Sequence, residues 1–177
     1  TIIRAGSCGG LQEFTNVGDL VISSGAVRVE NTSDFFVPPG YPAVASYEVV
    51  MALAEAAERV GATFHIGLTA SASGFYGAQG RKIPGVPMRF PSLPDDLAKI
   101  NVYNFEMESS ALFNLAQVMK MRAGTICAVY ANRPKGEFIP ADIKKTAEKQ
   151  NLEATFEAFK VIRKMDQKKN WSSVRNK

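Results

Sequence analysis

Histidine and tryptophan each occur once in this chain and cysteine only twice, which removes several kinds of chemistry at the outset. Cys8 and Cys127 make no disulfide framework, and so sparse a use of cysteine fits a reducing cytoplasm. With His65 as the single histidine, no zinc site can be assembled from ordinary ligand sets. No stretch approaches the roughly 20 apolar residues that a bilayer-spanning helix needs. The first residues also lack the basic and apolar runs of a secretory leader. The expectation is a cytoplasmic protein with no metal and no membrane segment.

An excess of one charge is likewise missing from most of the length. The chain has 177 residues and a formal net charge of +4. From Ala141 onward ten Lys or Arg face five Asp or Glu, a balance of +5, so residues 1–140 sum to −1. The basic surplus therefore belongs to the last helix and the tail. That pattern reads as a solvated face, with a phosphate-rich polymer as the alternative, and no nucleic-acid partner is expected.

What is present suits one globular domain over residues 1–177. Hydrophobic residues make up 46% and charged residues 21%, and a chain this long can bury roughly 70% of its unfolded surface. Thr1-Ile2-Ile3 reads as the end of a buried strand, which leads us to expect an N-terminal portion ahead of this sequence. Arg4 to Gly10 reads as a turn, followed by a second turn at Asn16-Val17-Gly18-Asp19. Leu20–Ser23 and Ala26–Val29 read as two short strands around a Ser24-Gly25 corner, and Asn31 to Tyr41 as a loop. Apolar residues from Ala45 to Val60 recur at helical spacing, with Gly61 as the stop.

Beyond Gly61, strands are expected at Thr63–Ala70, Asn101–Phe105 and Ala123–Val129. A long loop covers 71–91, a short helix starts near Ser92, and further helices cover Ser109–Met119 and Pro140 to about Gln167. Strands alternating with helices indicate an α/β layered sheet. Arg4–Gly10, Ser71–Arg81, Asn104–Glu108 and Tyr130–Arg133 all fall at expected strand ends, where ligands of open α/β sheets gather.

Each of these segments has chemistry to offer. Arg4 and Ser7 sit among glycines, so a guanidinium, a hydroxyl and bare backbone N–H groups could hold an anion; a tight turn with positive φ is the plainer reading. Cys8 has no credible base partner, because His65 lies within an apolar strand, so thiol catalysis is not expected. Phe75 offers a stacking face, Gln79 a donor and an acceptor, and Arg81 donors only. That set complements a pyrimidine dione, although a solvated loop would use the same residues. Glu106 and Glu108, two residues apart at a strand-to-helix junction, share a face in extended chain and could both address a sugar hydroxyl pair. Arg133 at the end of an apolar strand is either a surface charge or a polar group aimed at the same place.

Together, Arg4-Ala5-Gly6-Ser7-Cys8-Gly9-Gly10-Leu11-Gln12, Asn16–Asp19, Thr69-Ala70-Ser71, Phe75-Tyr76-x-x-Gln79-x-Arg81, Asn104–Ser109 and Asn132-Arg133 resemble the nucleoside phosphorylase family of the trimeric or hexameric type. Within it the chain is most similar to members acting on uridine. The resemblance implies a three-layer α/β/α sandwich with a central mixed, partly barrel-like β-sheet. It implies reversible phosphorolysis of uridine to uracil and ribose 1-phosphate, with inorganic phosphate as co-substrate and no other cofactor.

By motif, Arg4 and Ser7 would hold phosphate, and Glu106, Met107 and Glu108 the ribose. Cys8, Gly9, Phe75, Gln79 and Arg81 would border the base, with Arg4, Glu108 and Arg133 as the catalytic set. Purine-specific relatives carry an aspartate at the Asn132-Arg133 position, and nucleosidase relatives lack the Arg4 counterpart. The family's early glycine-rich phosphate segment and a further arginine have no counterpart in this sequence. A purine nucleoside phosphorylase and a catalytically incompetent nucleoside-binding homologue are the alternatives. The resemblance also implies a homo-oligomer built from dimers, with a hexamer expected.

Overall fold

The computed structural model describes residues 1–168. Its elements are β1 (Ile2–Gly10), β2 (Leu20–Val29), β3 (Ala43–Val44), α1 (Tyr47–Arg59), β4 (Phe64–Ala72), α2 (Leu93–Lys99), β5 (Val102–Glu106), α3 (Ser109–Val118), β6 (Ala123–Asn132), β7 (Glu137–Phe138) and α4 (Ala141–Lys168). The strands pair in the order β3-β2-β4-β5-β1-β6-β7, and β2 also pairs with β6, so β2, β4, β5, β1 and β6 close into a barrel. Parallel ladders join β1 to β6, β2 to β4 and β4 to β5, whereas β1–β5 and β2–β6 are antiparallel. The α/β class and the mixed, barrel-like sheet agree with the sequence reading.

Several boundaries differ from it. Arg4 to Gly10 is not a turn but the body of β1, paired with β6 from Ile2↔Ala123 to Gly10↔Asn132. Glycine serves there for close approach, because a Cβ at Gly6 would overlap the Arg4 guanidinium and one at Gly10 would lie 2.7 Å from Thr15 Oγ1. None of the glycines of β1 has positive φ, so no nest of free backbone N–H groups forms there. Leu20–Ser23 and Ala26–Val29 are one strand: the expected corner is a bulge, with the register to β4 slipping between Ser23 and Gly25. The two-residue edge strands β3 and β7 are too short to leave a sequence pattern.

Gly61, at φ +67°, ends α1 as expected, and Ala62 N–H closes the turn on Ala57 O at 3.0 Å. His65 lies on a half-buried strand position with Nε2 2.9 Å from Asp19 Oδ2, away from either thiol's hydrogen bonds. The tail, from 169 on, and with it part of the basic surplus, lies outside the described residues. Among the described residues no helix is long and apolar enough to cross a membrane.

One core joins Leu20 and Ile22 of β2, Leu53 of α1, Phe113 of α3, Ile126 of β6 and the alanines 147, 154 and 158 of α4. A fully buried side chain of this size contributes about 1.5–3 kcal/mol. The small α4 residues let that helix lie close against the sheet. A second, smaller core beneath α2 gathers Leu11, Leu97, Val102 and Phe105.

Close packing of α1 on β6 depends on Gly124, where an added Cβ would come 3.1 Å from Val49 Cβ and closer still to its Cγ1. Gly124→Ala is expected to destabilise the fold by about 1–3 kcal/mol. Urea unfolding of the two proteins measures the difference.

Candidate active site

Antiparallel pairing of β1 with β5 builds one end of the site. Gly9 lies opposite Phe105, so each step back along β1 is a step forward along β5, and Arg4 comes beside the chain just past Glu106. Arg4 therefore projects from the body of a strand, not from beyond a carboxyl end. Its Nη1 donates to Cys127 Sγ at 2.8 Å and lies 3.6 Å from Glu106 Oε2, while Nη2 is ion-paired with Glu108. Burial opposes the charge on Arg4, but Cys127 and the two carboxylates outweigh it and raise its pKa further.

The two acids both lie against the Arg4 guanidinium, and not because the chain between them is extended. Glu106 ends β5, and Glu108 is the residue that starts α3. Their environments also differ. The Glu106 side chain has no exposure and that of Glu108 is 55% exposed. Glu106 accepts from Ser109 N–H on both oxygens at 3.1 and 2.9 Å, from Glu108 N–H at 2.9 Å and from the Ser71 hydroxyl. A carboxylate on the first N–H groups of a helix meets both unpaired donors and the positive end of its dipole.

Behind Glu106 the network continues. Ser71 Oγ accepts from Ser110 N–H at 2.9 Å, and Ser110 Oγ donates to Glu30 at 2.7 Å. Glu30 also accepts from the Ser33 N–H and hydroxyl at 3.0 and 2.6 Å. The ends of β2, β4 and β5 are thereby locked to the start of α3.

The other end of the site is cationic. Arg133 donates to Gln79 twice, from Nη1 to the backbone O at 2.6 Å and from Nη2 to Oε1 at 3.0 Å. Because Arg can only donate, this contact fixes the Gln79 amide with its oxygen toward Arg133. Arg81 lies over the Phe75 ring at 4.2 Å, and Arg133 over Phe105 at 5.0 Å. Both guanidinium groups border Gly9, whose missing Cβ would sit 3.7 Å from Arg133 Nε and 3.9 Å from Arg81 Nη2. Burial lowers the pKa of Arg81. Burial and then Arg81 itself lower Arg133 to about 10. Nε of each is buried without a hydrogen-bond partner among the described residues.

A cavity of about 430 Å³ joins the two ends. Of the residues singled out from sequence, Arg4, Ser7, Cys8, Gly9, Phe75, Gln79, Arg81, Glu106, Met107 and Glu108 line it. Arg133 stands behind Gln79 instead of on the wall, bonded to it through both Nη atoms. The buried Cys8 thiol is pushed well up by desolvation, which disfavours thiolate chemistry. Phe105 and Tyr130, which lie in two of the expected strand-end segments but were given no role, are on the same wall; sequence reasoning missed Phe138, Ile139 and Lys144 there. Phe138 is brought there by the β6–β7 hairpin, which turns at Gly136 (φ +64°); the Phe138-Ile139 pair before Pro140 was the only available signal.

Residues 1–161 match the sequence profile described as the Phosphorylase superfamily. The chain is similar to a uridine phosphorylase of Thermococcus kodakarensis, 45% identical across 99% of this chain and 62% of the relative. A uridine phosphorylase of Klebsiella aerogenes is 37% identical across 89% and 64%. A guanosine phosphorylase of Halorubrum lacusprofundi is 34% identical across 80% and 54%. The chain thus spans somewhat under two thirds of the length of the curated relatives it matches.

Burial pushes the Glu30 carboxyl up, but the donors of Ser33 and Ser110 outweigh it, leaving the pKa below its ordinary value. A depressed carboxylate stabilises the fold fully above its unfolded pKa of about 4.3 and loses that contribution as pH falls through the folded value. The stability difference between wild type and Glu30→Gln is therefore expected to be full near neutrality and to shrink below about pH 4. Denaturant titrations over that range measure it.

Proposed function

The chain belongs to the phosphorylase superfamily, and on that premise we propose that it catalyses reversible phosphorolysis of uridine, giving uracil and ribose 1-phosphate. The observation that carries this reading is the single cavity with Arg4 and Glu108 at one end and Gln79 and Arg81 at the other. Both ends are of the kind the reaction needs, within one nucleoside-sized space.

In the reaction a phosphate oxygen bonds to C1′ as the C1′–N1 bond breaks, and the electron pair leaves on the uracil ring. The sugar passes through an oxocarbenium-like state, as in glycoside cleavage. Phosphate is already an anion, so no general base has to create the nucleophile. Arg4, with Ser7 exposed beside it, would hold phosphate beneath C1′ and supply proximity. Glu108, partly exposed, can exchange its pairing with Arg4 for ribose hydroxyls, with Met107 against the ring. Glu106 has little accepting capacity left and would act on the ribose side through Glu108 and Arg4.

At the base end, negative charge grows on the carbonyl oxygens of the departing ring. The amide N–H₂ of Gln79 and the Arg81 guanidinium are donors for it, with Phe75 stacking, Cys8 and Gly9 bordering, and Arg133 adding positive potential. The adjacent half-buried guanidiniums of Arg81 and Arg133 repel each other, and an arriving anion would relieve that repulsion. A purine leaving group calls for an acid at the ring instead. Among the described residues the acids on the cavity wall are Glu106 and Glu108, both at the Arg4 end. That distribution favours uracil over purine.

The same reading takes inorganic phosphate as co-substrate with no further cofactor, a cytoplasmic setting, and self-association. Large exposed apolar side chains such as Phe35, Phe156 and Met119 supply surface for the last.

Uracil release from uridine should require phosphate and exceed inosine cleavage. Arg4→Ala and Glu108→Ala should each lower kcat/KM by roughly 10²–10³-fold. Glu108→Ala should change melting temperature little, whereas Arg4→Ala should also lower it, because it leaves the buried Glu106 carboxylate without its charge partner. Equal turnover in phosphate-free buffer, or a preference for inosine, overturns the proposal.

A further inference from the structure

The Arg4 guanidinium does not rest on a generic surface. Directly across the β1–β6 ladder Gly6 faces Cys127, and the guanidinium lies in the space that a Gly6 side chain would fill. Cys127 has no solvent exposure, and its Sγ is the acceptor for Nη1 at 2.8 Å. Glu106, which closes the far side at 3.6 Å, is committed to the start of α3. The slot has three walls: a missing side chain, a thiol and a fixed carboxylate. The side where Nη2 meets Glu108 faces the cavity, which Glu106 also borders.

We infer that Cys127 is a positioning residue for phosphate recognition, acting through Arg4. This rests on the proposed role of Arg4 in holding phosphate. An arginine side chain has several rotatable bonds, and each rotamer-rich group frozen in advance spares roughly 0.5–1.5 kcal/mol at the moment of binding. Sulfur is a weak acceptor, but here it is the near neighbour on the β6 side and it fills the slot by volume. Without it, Nη1 keeps only the longer contact to Glu106. The guanidinium can then rotate in the slot, and Nη2 no longer points in one direction. The thiol neither touches substrate nor transfers a proton.

The test combines steady-state kinetics with calorimetric titration of inorganic phosphate on wild type, Cys127→Ala, Cys127→Ser and Arg4→Ala. In the expected result Cys127→Ala weakens phosphate binding and raises its KM about 3–10-fold, the fold-change matching the rotamer cost above. The uridine KM stays near wild type, the melting temperature falls only modestly through loss of one buried sulfur, and Cys127→Ser, which restores an acceptor, recovers most of the lost phosphate affinity. If Cys127→Ala binds phosphate like wild type while Arg4→Ala does not, Cys127 is only filler and the inference fails with the proposed function intact. If Arg4→Ala also binds phosphate normally, the reading of Arg4 falls, and this inference with it. Equal losses for uridine and phosphate, unrecovered in Cys127→Ser, assign Cys127 to packing alone and equally overturn it.

Discussion

Glu106 places a carboxylate where its side chain has no contact with water, and four elements are tied to it. It ends β5, receives the Ser71 hydroxyl from β4, holds the first N–H groups of α3 and stands beside Arg4 of β1. A buried charge is tolerated only when its lone pairs are met by donors and its charge by a partner. Here both conditions are satisfied by parts of the chain far apart in sequence. Removing Glu106 would leave a helix start without acceptors and an arginine half-neutralised. The relation between strand ends and helix start, and with it the position of Glu108, depends on this one group.

The base end is organised on the opposite principle. Arg81 and Arg133 are brought together without a carboxylate among the partners that the structure shows for them, and burial lowers the pKa of each. The Gln79 backbone and amide oxygens and two aromatic faces partly compensate them, with Tyr76 acting on Arg81 as well. At one end of the cavity two carboxylates outweigh a single guanidinium, and the other retains positive potential toward whatever enters. This asymmetry suits a reaction in which one product leaves as an anion.

Much of this was legible from residue order, for identifiable reasons. The β6 strand announces itself because it is apolar nearly throughout, and α1 because its alanines and valines fall at helical spacing up to Gly61. Arg4–Gly10 misled because three glycines and small residues look like a turn, whereas each glycine there makes room for a neighbour: Arg4, Thr15 or the arginine pair. The Ser24-Gly25 corner misled similarly, since a bulge and a turn use the same residues. Phe138 was marked only by the apolar pair before Pro140 and Lys144 by nothing local, because a hairpin and a helix start carry these residues to a distant wall.

Residue order alone determined the chemical inventory: which strands and helices could form, that donors without acids mark the 79–81 segment, and that paired acids mark the 106–108 segment. These follow from side-chain type and period, which are local properties. Only the folded chain decided that Glu106 is spent on structure while Glu108 remains available, that Arg133 acts from behind Gln79, and that Cys127 receives Arg4. Those assignments depend on register across β1–β5 and β1–β6 and on burial, and both arise only when the barrel closes.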